Sequence, residues 1–473
     1  MRNIIKSSHV AKLSLYTRML RYEGLGSVLR RYADRAKEAR RRRRFHPIDR
    51  QSISHFASSR PPLLNFLASP PAARFGGTPL QLVARLGEEA RRRSVALLYP
   101  IGNRYRLELE FGERRYSFEF SRPAIQNLAR TDCNFEQVIA EAARELGTST
   151  VHFEGVAGLP LESIMNLGRH GLKFILSLHD FALFCARQNL FEHSAMRFCN
   201  YCADLARCDR CLSGIRPFEA GAQRAHREAA RKVLGDAQAV VYPSEFMRRQ
   251  HRELFPAVHL GKDLVIEPAI SSTMRHEPAV SRNRAPKHVA FVGAATMVKG
   301  ANPFAEVVGH LSNVIPGAFR WSAFGGGDTA ILAQLRVLGV TTRGYYRPGT
   351  LPSLLRRHAV DVALLLSTVP ESFGLVLSEC WMAGVPAIAF DHGAIADRIH
   401  RYGCGALVKL SDGSLGVAEA LEAIASGRTQ IPKLEECAPL QTPQNAALAH
   451  LLLYEELGLF ERRKATQRAT QSG

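Results

Sequence analysis

The feature that most constrains the fold is an alternation of short apolar segments with helix-like segments, which occurs twice along the 473-residue chain. The first set contains the strand-like runs VALLYPIG, TSTVHFEG, GLKFILSLHD and AQAVVYPS. The second set begins after Pro268 and contains KHVAFVG, FRWSAFGGG, VDVALLLST and VPAIAFD. Apolar runs of this length, alternating with helices, are typical of parallel sheets covered on both faces. The sequence therefore predicts an α/β protein with two doubly wound domains.

The composition between these sets suggests where the domains end. Residues 45–75 are rich in Pro and Ser and are predicted to be a linker or an irregular cover. A polar segment with three prolines, PAISSTMRHEPAVSRNRAP, separates the two sets. We therefore expect a basic arm and linker over 1–70, one domain over 71–275, a second over 276–440, and a C-terminal helix and tail over 441–473. The segment YRLELEFGERRYSFEF alternates in polarity and is predicted to be a hairpin that turns at Gly112.

The charge is concentrated at the N-terminus. Residues 1–44 carry fourteen Lys or Arg and three acidic residues, a net charge of +11 out of +20 for the whole chain. With its scattered Ile, Leu and Met residues, this arm is predicted to lie on an anionic membrane surface. A solvated tail is the alternative. Nucleic acid ranks third, because the arm has few aromatic residues and no recognition motif.

The apolar runs, the N-terminal segment and the cysteine content indicate the cellular compartment. The chain has no apolar run of about 18 residues and no secretory signal at its N-terminus. Nine cysteines in a long chain without such a signal indicate thiols in a reducing compartment. We expect a cytoplasmic protein, peripheral on the inner face of the cell membrane.

A strand followed by a glycine-containing loop suggests a phosphate site. In HVAFVGAATMVKG, a strand runs into Gly293, and the loop continues through Lys299 to the start of a helix. Glycine permits close approach of the backbone, the helix N-terminus offers free N–H groups, and lysine adds positive charge. The loop matches neither a Walker motif nor G-x-G-x-x-G. A solvated lysine at a strand–helix turn is the alternative.

A second segment, VPESFGLVLSECWMAGVPAIAFDHG, holds two glutamates eight positions apart. Glu371 follows a strand end, and a helix is predicted from about Leu375 to Met382. Glu379 lies inside that helix among apolar residues, where a carboxylate is costly to bury without a partner. Two such carboxylates could bind sugar hydroxyls. The alternative is a surface Glu371 and a salt-bridged Glu379.

These segments resemble, in order, those of the retaining glycosyltransferases of family 4, which have the GT-B fold. PESFGLVLSE resembles the family's Glu-x7-Glu signature, followed by AGVPAIA and by a D-x-G-A-x-A-x-R-I continuation. FVGAATMVKG occupies the phosphate-loop position, and ILSLHDFALFC resembles the His-Asp strand end of a subset that carries downstream cysteines. The resemblance covers roughly residues 72–410 and implies two Rossmann-like domains facing a cleft.

The resemblance assigns roles in the second domain. It implies that Glu371 holds hydroxyls of the donor sugar and that Glu379 holds the nucleotide ribose. Lys299 would neutralise the leaving diphosphate, with Gly293 in the same loop. Three further donor-binding positions are implied by their backbone N–H groups near Glu371: Phe373, Gly374 and Leu375.

The resemblance also assigns roles in the first domain. His179 would sit against the donor sugar, and Asp180 would orient it or meet the acceptor. Gly76 and Gly77 would let the backbone approach the donor phosphates.

One residue departs from the family pattern. Many members have Arg where this chain has Ala294, so Lys299, helix dipoles and Arg343 or Arg347 would have to stabilise the diphosphate.

The segment FCNYCADLARCDRC brings together cysteines that could bind zinc through four thiolates. The predicted structural set is Cys185, Cys199, Cys208 and Cys211, with Cys202 as the alternate ligand. Unligated thiols are the alternative, and iron–sulfur is a weaker one. Four thiolates leave no open position for catalysis, so a structural metal is expected and no catalytic cofactor.

The predicted function is a retaining hexosyltransferase-type enzyme. It would move a sugar from a nucleotide-sugar donor to a glycan or lipid-linked acceptor in bacterial surface polysaccharide biosynthesis. The chain lacks a D-x-D-like pair at a strand end, so donor binding is expected to be metal-independent. The alternatives are a GT-B epimerase or hydrolase of nucleotide sugars, and a non-catalytic scaffold or zinc-containing nucleic-acid binder.

Overall fold

The structure is a computed structural model that describes most of the chain, namely residues 25–58, 61–71, 77–125, 129–215, 219–258, 261–270, 287–347, 349–429 and 440–460. The helices and strands up to residue 265 are, in chain order, α1 (Leu25–Arg43), β1 (His46–Pro47), α2 (Arg50–Ser58), β2 (Leu63–Phe66), α3 (Gly77–Ala90), β3 (Val95–Ile101), β4 (Arg104–Phe111), β5 (Arg114–Phe120), α4 (Cys133–Leu146), β6 (Thr150–Glu154), α5 (Leu161–Asn166), β7 (Lys173–Ser177), β8 (Phe191–Glu192), β9 (Arg197–Phe198), α6 (Leu205–Leu212), α7 (Ala222–Asp236), β10 (Ala239–Tyr242), α8 (Glu245–Leu254) and β11 (Lys262–Val265).

The first domain is built on a nine-stranded sheet of order β1-β5-β4-β3-β2-β6-β7-β10-β11. Strands β3, β4 and β5 pair antiparallel, and the other neighbours pair parallel. The predicted hairpin is confirmed, because β4 and β5 join at Gly112, which has a left-handed φ of 59°. All five residues of β6 are buried, as expected for a central strand covered on both faces.

The prediction of a linker over 45–75 is wrong. Strand β2 lies at the centre of the first sheet, parallel to β3 and β6, and is buried throughout. Asn65 in this strand is tolerated because its amide donates to the carbonyls of Ala96 at 3.1 Å and Leu63 at 3.3 Å. Helix α2 packs Ile53 into the same core. The first domain therefore begins before the predicted boundary at residue 70.

The second domain has a six-stranded parallel sheet of order β14-β13-β12-β15-β16-β17. Its elements and the final helix are β12 (His288–Val292), α9 (Ala301–Val314), β13 (Arg320–Phe324), α10 (Thr329–Val337), β14 (Thr341–Thr342), α11 (Leu351–Arg357), β15 (Val362–Leu365), α12 (Leu375–Met382), β16 (Ala387–Phe390), α13 (Gly393–Tyr402), β17 (Gly405–Val408), α14 (Gly413–Ala425) and α15 (Pro443–Glu456). Helix α12 has the predicted bounds. Each of the second set of strand predictions is confirmed.

The final helix returns to the first domain. The Arg85 guanidinium of α3 donates to the Tyr454 hydroxyl at 3.1 Å, and the Gln444 amide donates to Glu88 at 3.1 Å. Tyr454 is fully buried there. The predicted unit 441–473 is thus joined to the first domain over its helical part, and residues 461–473 lie outside the described part of the chain. None of the helices in the described ranges has the length and apolar content needed to span a membrane.

Candidate active site

The carboxyl ends of the two sheets meet across a cleft. The Ser244 hydroxyl, at the start of α8 in the first domain, donates to the carbonyl of Ser372 in the second at 2.7 Å. The side chains of Arg249 and Asp397 form an ion pair at 3.1 Å between the same two domains. The loop that carries Glu371 therefore faces the first domain, at the edge where ligands of doubly wound sheets bind.

The predicted phosphate loop connects β12 to α9. Gly293 follows β12 with φ of 135°, and Gly300 caps the helix with φ of 83°. A Cβ atom at Gly300 would lie 1.6 Å from the Leu366 carbonyl oxygen, so only glycine fits there. This close approach joins the loop to the segment after β15. The Ala301 N–H donates to the Thr296 carbonyl at 3.1 Å and Pro303 has no N–H, so the first three residues of α9 can offer a ligand at most the N–H of Asn302.

Lys299 and Glu371 lie together. Their ammonium and carboxylate groups form a direct ion pair between the two loops. The side chains remain accessible, with exposed fractions of 42% for Lys299 and 20% for Glu371. The structure therefore brings two of the predicted catalytic residues to one accessible point.

The turn that follows Glu371 is hydrogen-bonded by Arg398, a residue for which no role was predicted. The buried Arg398 guanidinium donates to the carbonyls of Phe373 at 3.3 Å and Gly374 at 3.2 Å, and lies 4.0 Å from the Phe373 ring centroid. Gly374 caps α12 in a left-handed conformation, and Leu375 is the first residue of the helix. Arg398 is the arginine of the D-x-G-A-x-A-x-R-I continuation. Its place in that motif is the sequence feature that could have indicated a role for it.

Glu379 lies on α12, partly buried. Burial raises the pKa of its carboxyl group to about 7, and hydrogen bonding to the backbone of Gly349 acts in the opposite direction. The Tyr346 phenol is close enough that Glu379 contributes, after burial, to raising the Tyr346 pKa. The loop after β14 is therefore the immediate neighbour of Glu379.

His179 and Asp180 follow β7 and contact groups of the first domain. His179 lines a cavity with Arg85, Glu154 and His450. Burial lowers the pKa of His179, Glu154 opposes this shift and Arg85 adds to it. Asp180 accepts a hydrogen bond from the Ala182 amide at 2.9 Å, and burial raises its pKa to about 6.

A buried polar network behind His179 was not foreseen. Arg85 donates to Glu89 at 2.9 Å and also pairs with Glu154. His152 contacts the Tyr454 hydroxyl at 2.8 Å through Nδ1. Burial raises the pKa of Glu89 to about 7, since the Arg85 charge offsets only part of the desolvation. Arg85 and Glu89 lie on α3 and Glu154 on β6, and the return of α15 adds the Tyr454 hydroxyl to this group.

Of the two glycines predicted to face the donor phosphates, Gly77 alone belongs to the described part of the chain. Gly76 lies outside the described residues. Gly77 is the first residue of α3.

Ala294, which stands where many members of the resembling family have Arg, directly follows Gly293. Of the two arginines proposed to replace its missing charge, Arg343 follows β14 and lies 5.7 Å from the Phe324 ring centroid at the end of β13. Burial lowers the pKa of the Arg343 guanidinium.

The cysteine segment forms a small unit at the cleft. Five cysteines line one cavity, namely Cys185, Cys199, Cys202, Cys208 and Cys211. Burial raises the pKa of Cys185 to about 11 and that of Cys208 to about 12. Phe198 of this unit lies 6.3 Å, centroid to centroid, from the His392 ring of the second domain.

The donor set of this unit is chemically suited to zinc, and its arrangement is looser than a metal site. Across the described ranges, no group of three or more His, Cys, Asp or Glu is arranged to hold a metal ion. None of the eight cysteines described there forms a disulfide bond, and Cys202 faces the same cavity as the other four.

Comparisons with known proteins agree with this geometry. The model of the family described as Glycosyl transferases group 1 matches residues 286–426, which is the second domain. No curated protein sequence matches the chain. Sucrose-phosphate synthase from Thermosynechococcus elongatus is 16% identical, with a TM-score of 0.58, over 84% of this chain and 99% of that one.

Two further solved structures are similar over the same length. Anabaena HepE in complex with UDP is 13% identical, with a TM-score of 0.52, over 84% of this chain and 99% of that one. A glycosyltransferase from Rickettsia africae is 14% identical, with a TM-score of 0.53, over 84% and 98%. At these identities the likeness establishes the architecture. The chain has the GT-B fold, and its second domain matches the glycosyl transferases group 1 family.

Proposed function

We propose that the chain is a retaining glycosyltransferase of family 4 type. It transfers a sugar from a nucleotide-sugar donor to a glycan or lipid-linked acceptor in bacterial surface polysaccharide biosynthesis. The observation that carries this proposal is the contact between Lys299 and Glu371, which brings a cation and a carboxylate to the carboxyl edge of the second sheet. The second-domain family match supports it.

The cation side of this pair suits a leaving diphosphate. Bond breaking at the anomeric carbon gives an oxocarbenium-like centre and a departing nucleoside diphosphate. Lys299, with the Asn302 N–H at the start of α9, stabilises the negative charge that develops on that leaving group. Arg343 or Arg347 supplies the charge that Ala294 cannot.

The carboxylate side suits the sugar and the nucleoside. Glu371 accepts hydrogen bonds from donor-sugar hydroxyls, and the start of α12 adds N–H donors at the turn. Glu379 accepts from the ribose hydroxyls. Donor binding would then release Glu371 from Lys299, since each has a better-matched partner on the ligand.

Transfer with retention requires attack on the face that the diphosphate leaves. The acceptor oxygen forms its bond to the anomeric carbon as the bond to the phosphate oxygen breaks, and the acceptor proton passes to the leaving phosphate. His179, whose pKa is lowered by burial, would lie beside the donor sugar as a hydrogen-bonding group. Asp180 orients it or meets the acceptor.

The test is a donor screen with the purified protein. Anabaena HepE has been solved with UDP-glucose, so UDP-sugars are the first donors to try, with and without EDTA. We expect one donor to be consumed, EDTA to have no effect, and the product to keep the anomeric configuration by proton NMR. An epimerised nucleotide sugar would assign an epimerase, free sugar with every acceptor tried would assign a hydrolase, and no donor binding would reject the proposal.

We also propose that the cysteine unit closes around a structural zinc ion. Four residues of this unit have a left-handed backbone without being glycine, which costs roughly 1 kcal/mol each and calls for a local cross-link. They are Leu190, Met196, Asn200 and Tyr201. Elemental analysis should find about one zinc per chain, with Cys185, Cys199, Cys208 and Cys211 required and Cys202→Ser retaining it. Absence of metal would assign free thiols.

The basic arm is proposed to hold the enzyme at the inner face of the membrane. Helix α1 contacts both domains, so a cut at residue 44 would disturb more than membrane binding. Removing residues 1–24 is the cleaner test, and it should release the protein from vesicles containing phosphatidylserine. Unchanged binding to these vesicles would reject a membrane role for residues 1–24.

A further inference from the structure

Helix α1 contacts the second domain at its N-terminal end. The backbone N–H of Tyr345 donates to the hydroxyl of Ser27, which is fully buried, at 2.9 Å. The Arg30 guanidinium donates to the Tyr345 carbonyl at 2.6 Å through Nε, and lies 3.5 Å from the Arg343 carbonyl through Nη2. Both polar backbone groups of Tyr345 are therefore bound by one turn of α1.

The same helix is fixed to the first domain at its other end. The Arg41 guanidinium donates to both carboxylate oxygens of Glu108 on β4, at 2.9 and 3.3 Å. Glu108 is only 3% exposed and also accepts from the Tyr99 hydroxyl at 2.7 Å. The Arg106 guanidinium donates to the Arg42 carbonyl at 3.3 Å. These bonds anchor α1 on the hairpin.

The two sets of contacts lie at opposite ends of one helix. Ser27 and Arg41 are fourteen residues apart on α1, which corresponds to about 21 Å along the helix axis. A single rigid element thus connects the hairpin of the first domain to the loop after β14 in the second. Any motion that separates these two points has to break the hydrogen bonds at one end.

The loop held by α1 is the neighbour of Glu379. Tyr345 is followed by Tyr346, which packs in the apolar cluster with Trp381 of α12. Four residues after Tyr345, the Gly349 backbone hydrogen bonds with Glu379. A shift of Tyr345 would therefore move the backbone that contacts Glu379. Under the proposed function, Glu379 holds the ribose.

We propose that α1 is a brace between the two domains that positions the loop at 343–350 for the nucleoside part of the donor. Ser27 and Arg30 are positioning residues that act through the backbone of Tyr345, and Arg41 anchors the brace on the first domain. This inference rests on the proposed nucleotide-sugar site. It gives the described part of the basic arm a role in donor affinity that does not depend on a membrane.

The experiment measures UDP binding by calorimetry on the full-length protein, with GDP and ADP as further probes if UDP does not bind. Arg30→Ala should weaken nucleotide binding roughly fivefold to tenfold, since it removes hydrogen bonds to the loop. Arg41→Ala, at the far end of the helix, should weaken it roughly threefold. Arg40→Ala is the matched control, because Arg40 is the exposed neighbour on the same helix.

The far-end variant separates a brace from local packing, since Arg41 contacts the hairpin and not the loop. Thermal melts and circular dichroism should confirm that every variant is folded, and Arg30→Lys should recover part of the affinity. Wild-type affinity in Arg41→Ala would overturn the brace, because a weakened Arg30→Ala alone would then reflect local packing at the loop. If the wild-type protein binds no nucleotide, or if Lys299→Ala binds it normally, the donor site itself is wrong.

Discussion

At the scale of single residues, the site depends on opposite charges with different degrees of burial. The side chains of Lys299 and Glu371 are accessible, so each could leave the other and contact a ligand instead. Glu379 lies on α12 between residues that belong to an apolar cluster. Burial raises the pKa of Glu379 from 4.5 to about 7, so the free protein resists ionising it. A carboxyl group whose pKa is raised in this way at a cleft is a candidate for a functional group.

Replacing Glu379 with Gln should therefore separate stability from binding. In the unfolded chain the carboxyl ionises near pH 4.5, but in the folded protein only near pH 7, so ionisation lowers wild-type stability as the pH rises between these values. Glu379→Gln should melt above the wild type at pH 8 and converge with it towards pH 4.5. It should also bind UDP more weakly at pH 8.

The control for this variant is Glu306→Gln on the exposed face of α9. It should change neither the melting temperature nor UDP binding. A Glu379→Gln protein that is less stable than the wild type at pH 8 would contradict a carboxylate whose ionisation is opposed by burial.

At the scale of elements, the phosphate loop requires a glycine at one position for a steric reason. Gly300 has φ of 83° and lies against the Leu366 carbonyl, so any side chain meets both backbone strain and a collision. Gly309 lies inside the same helix, where an added Cβ would make only an ordinary contact of 4.0 Å with Leu338. A side chain is therefore expected to be tolerated at Gly309 and not at Gly300.

Gly300→Ala should lower the free energy of unfolding by about 2–4 kcal/mol, since the loop and the segment after β15 must move apart. Gly309→Ala should be neutral or stabilising by up to about 1 kcal/mol, because alanine favours helix. Urea unfolding of the two variants measures both values. Equal effects would show that the loop is free to move away from Leu366.

At the scale of the whole molecule, contacts among the described residues tie distant parts of the chain together. Helix α1 joins the hairpin to the loop after β14, Ser244 reaches Ser372 across the cleft, and α15 returns to pack on α3. The buried Arg85 depends on that return, since Tyr454 supplies one of its acceptors. The first domain is therefore completed only by the last helix.

Tyr454→Phe tests this dependence. Removing the hydroxyl leaves Arg85 and His152 each without one partner in a buried setting, and should cost roughly 1–3 kcal/mol of unfolding free energy. Leu452→Ala, with 52% of its side chain exposed on the same helix, should change it by less than about 0.5 kcal/mol. A neutral Tyr454→Phe would mean that water replaces the hydroxyl.

The predictable part of this molecule is the part with local regularity. Apolar runs of strand length and the turn signals around them predicted the two sheets and α12, and the resemblance led to Lys299 and Glu371. Strand β2 escaped because its four residues include Asn65, which is acceptable only through bonds to Leu63 and Ala96. No role was predicted for Arg30, Arg85 or Arg398. In a sequence, an arginine with partners inside the fold cannot be told from a surface arginine until the fold brings those partners together.

The central claim is that Lys299 and Glu371 form the donor site, and the most direct measurement is the rate of sugar transfer by single variants. Lys299→Ala and Glu371→Ala should each lower the rate by about a hundredfold or more with melting temperatures unchanged. The exposed residues Lys409 and Glu419 of the same domain provide matched controls, Lys409→Ala and Glu419→Ala, which should keep full activity. Full activity in both the Lys299 and the Glu371 variant would contradict the account.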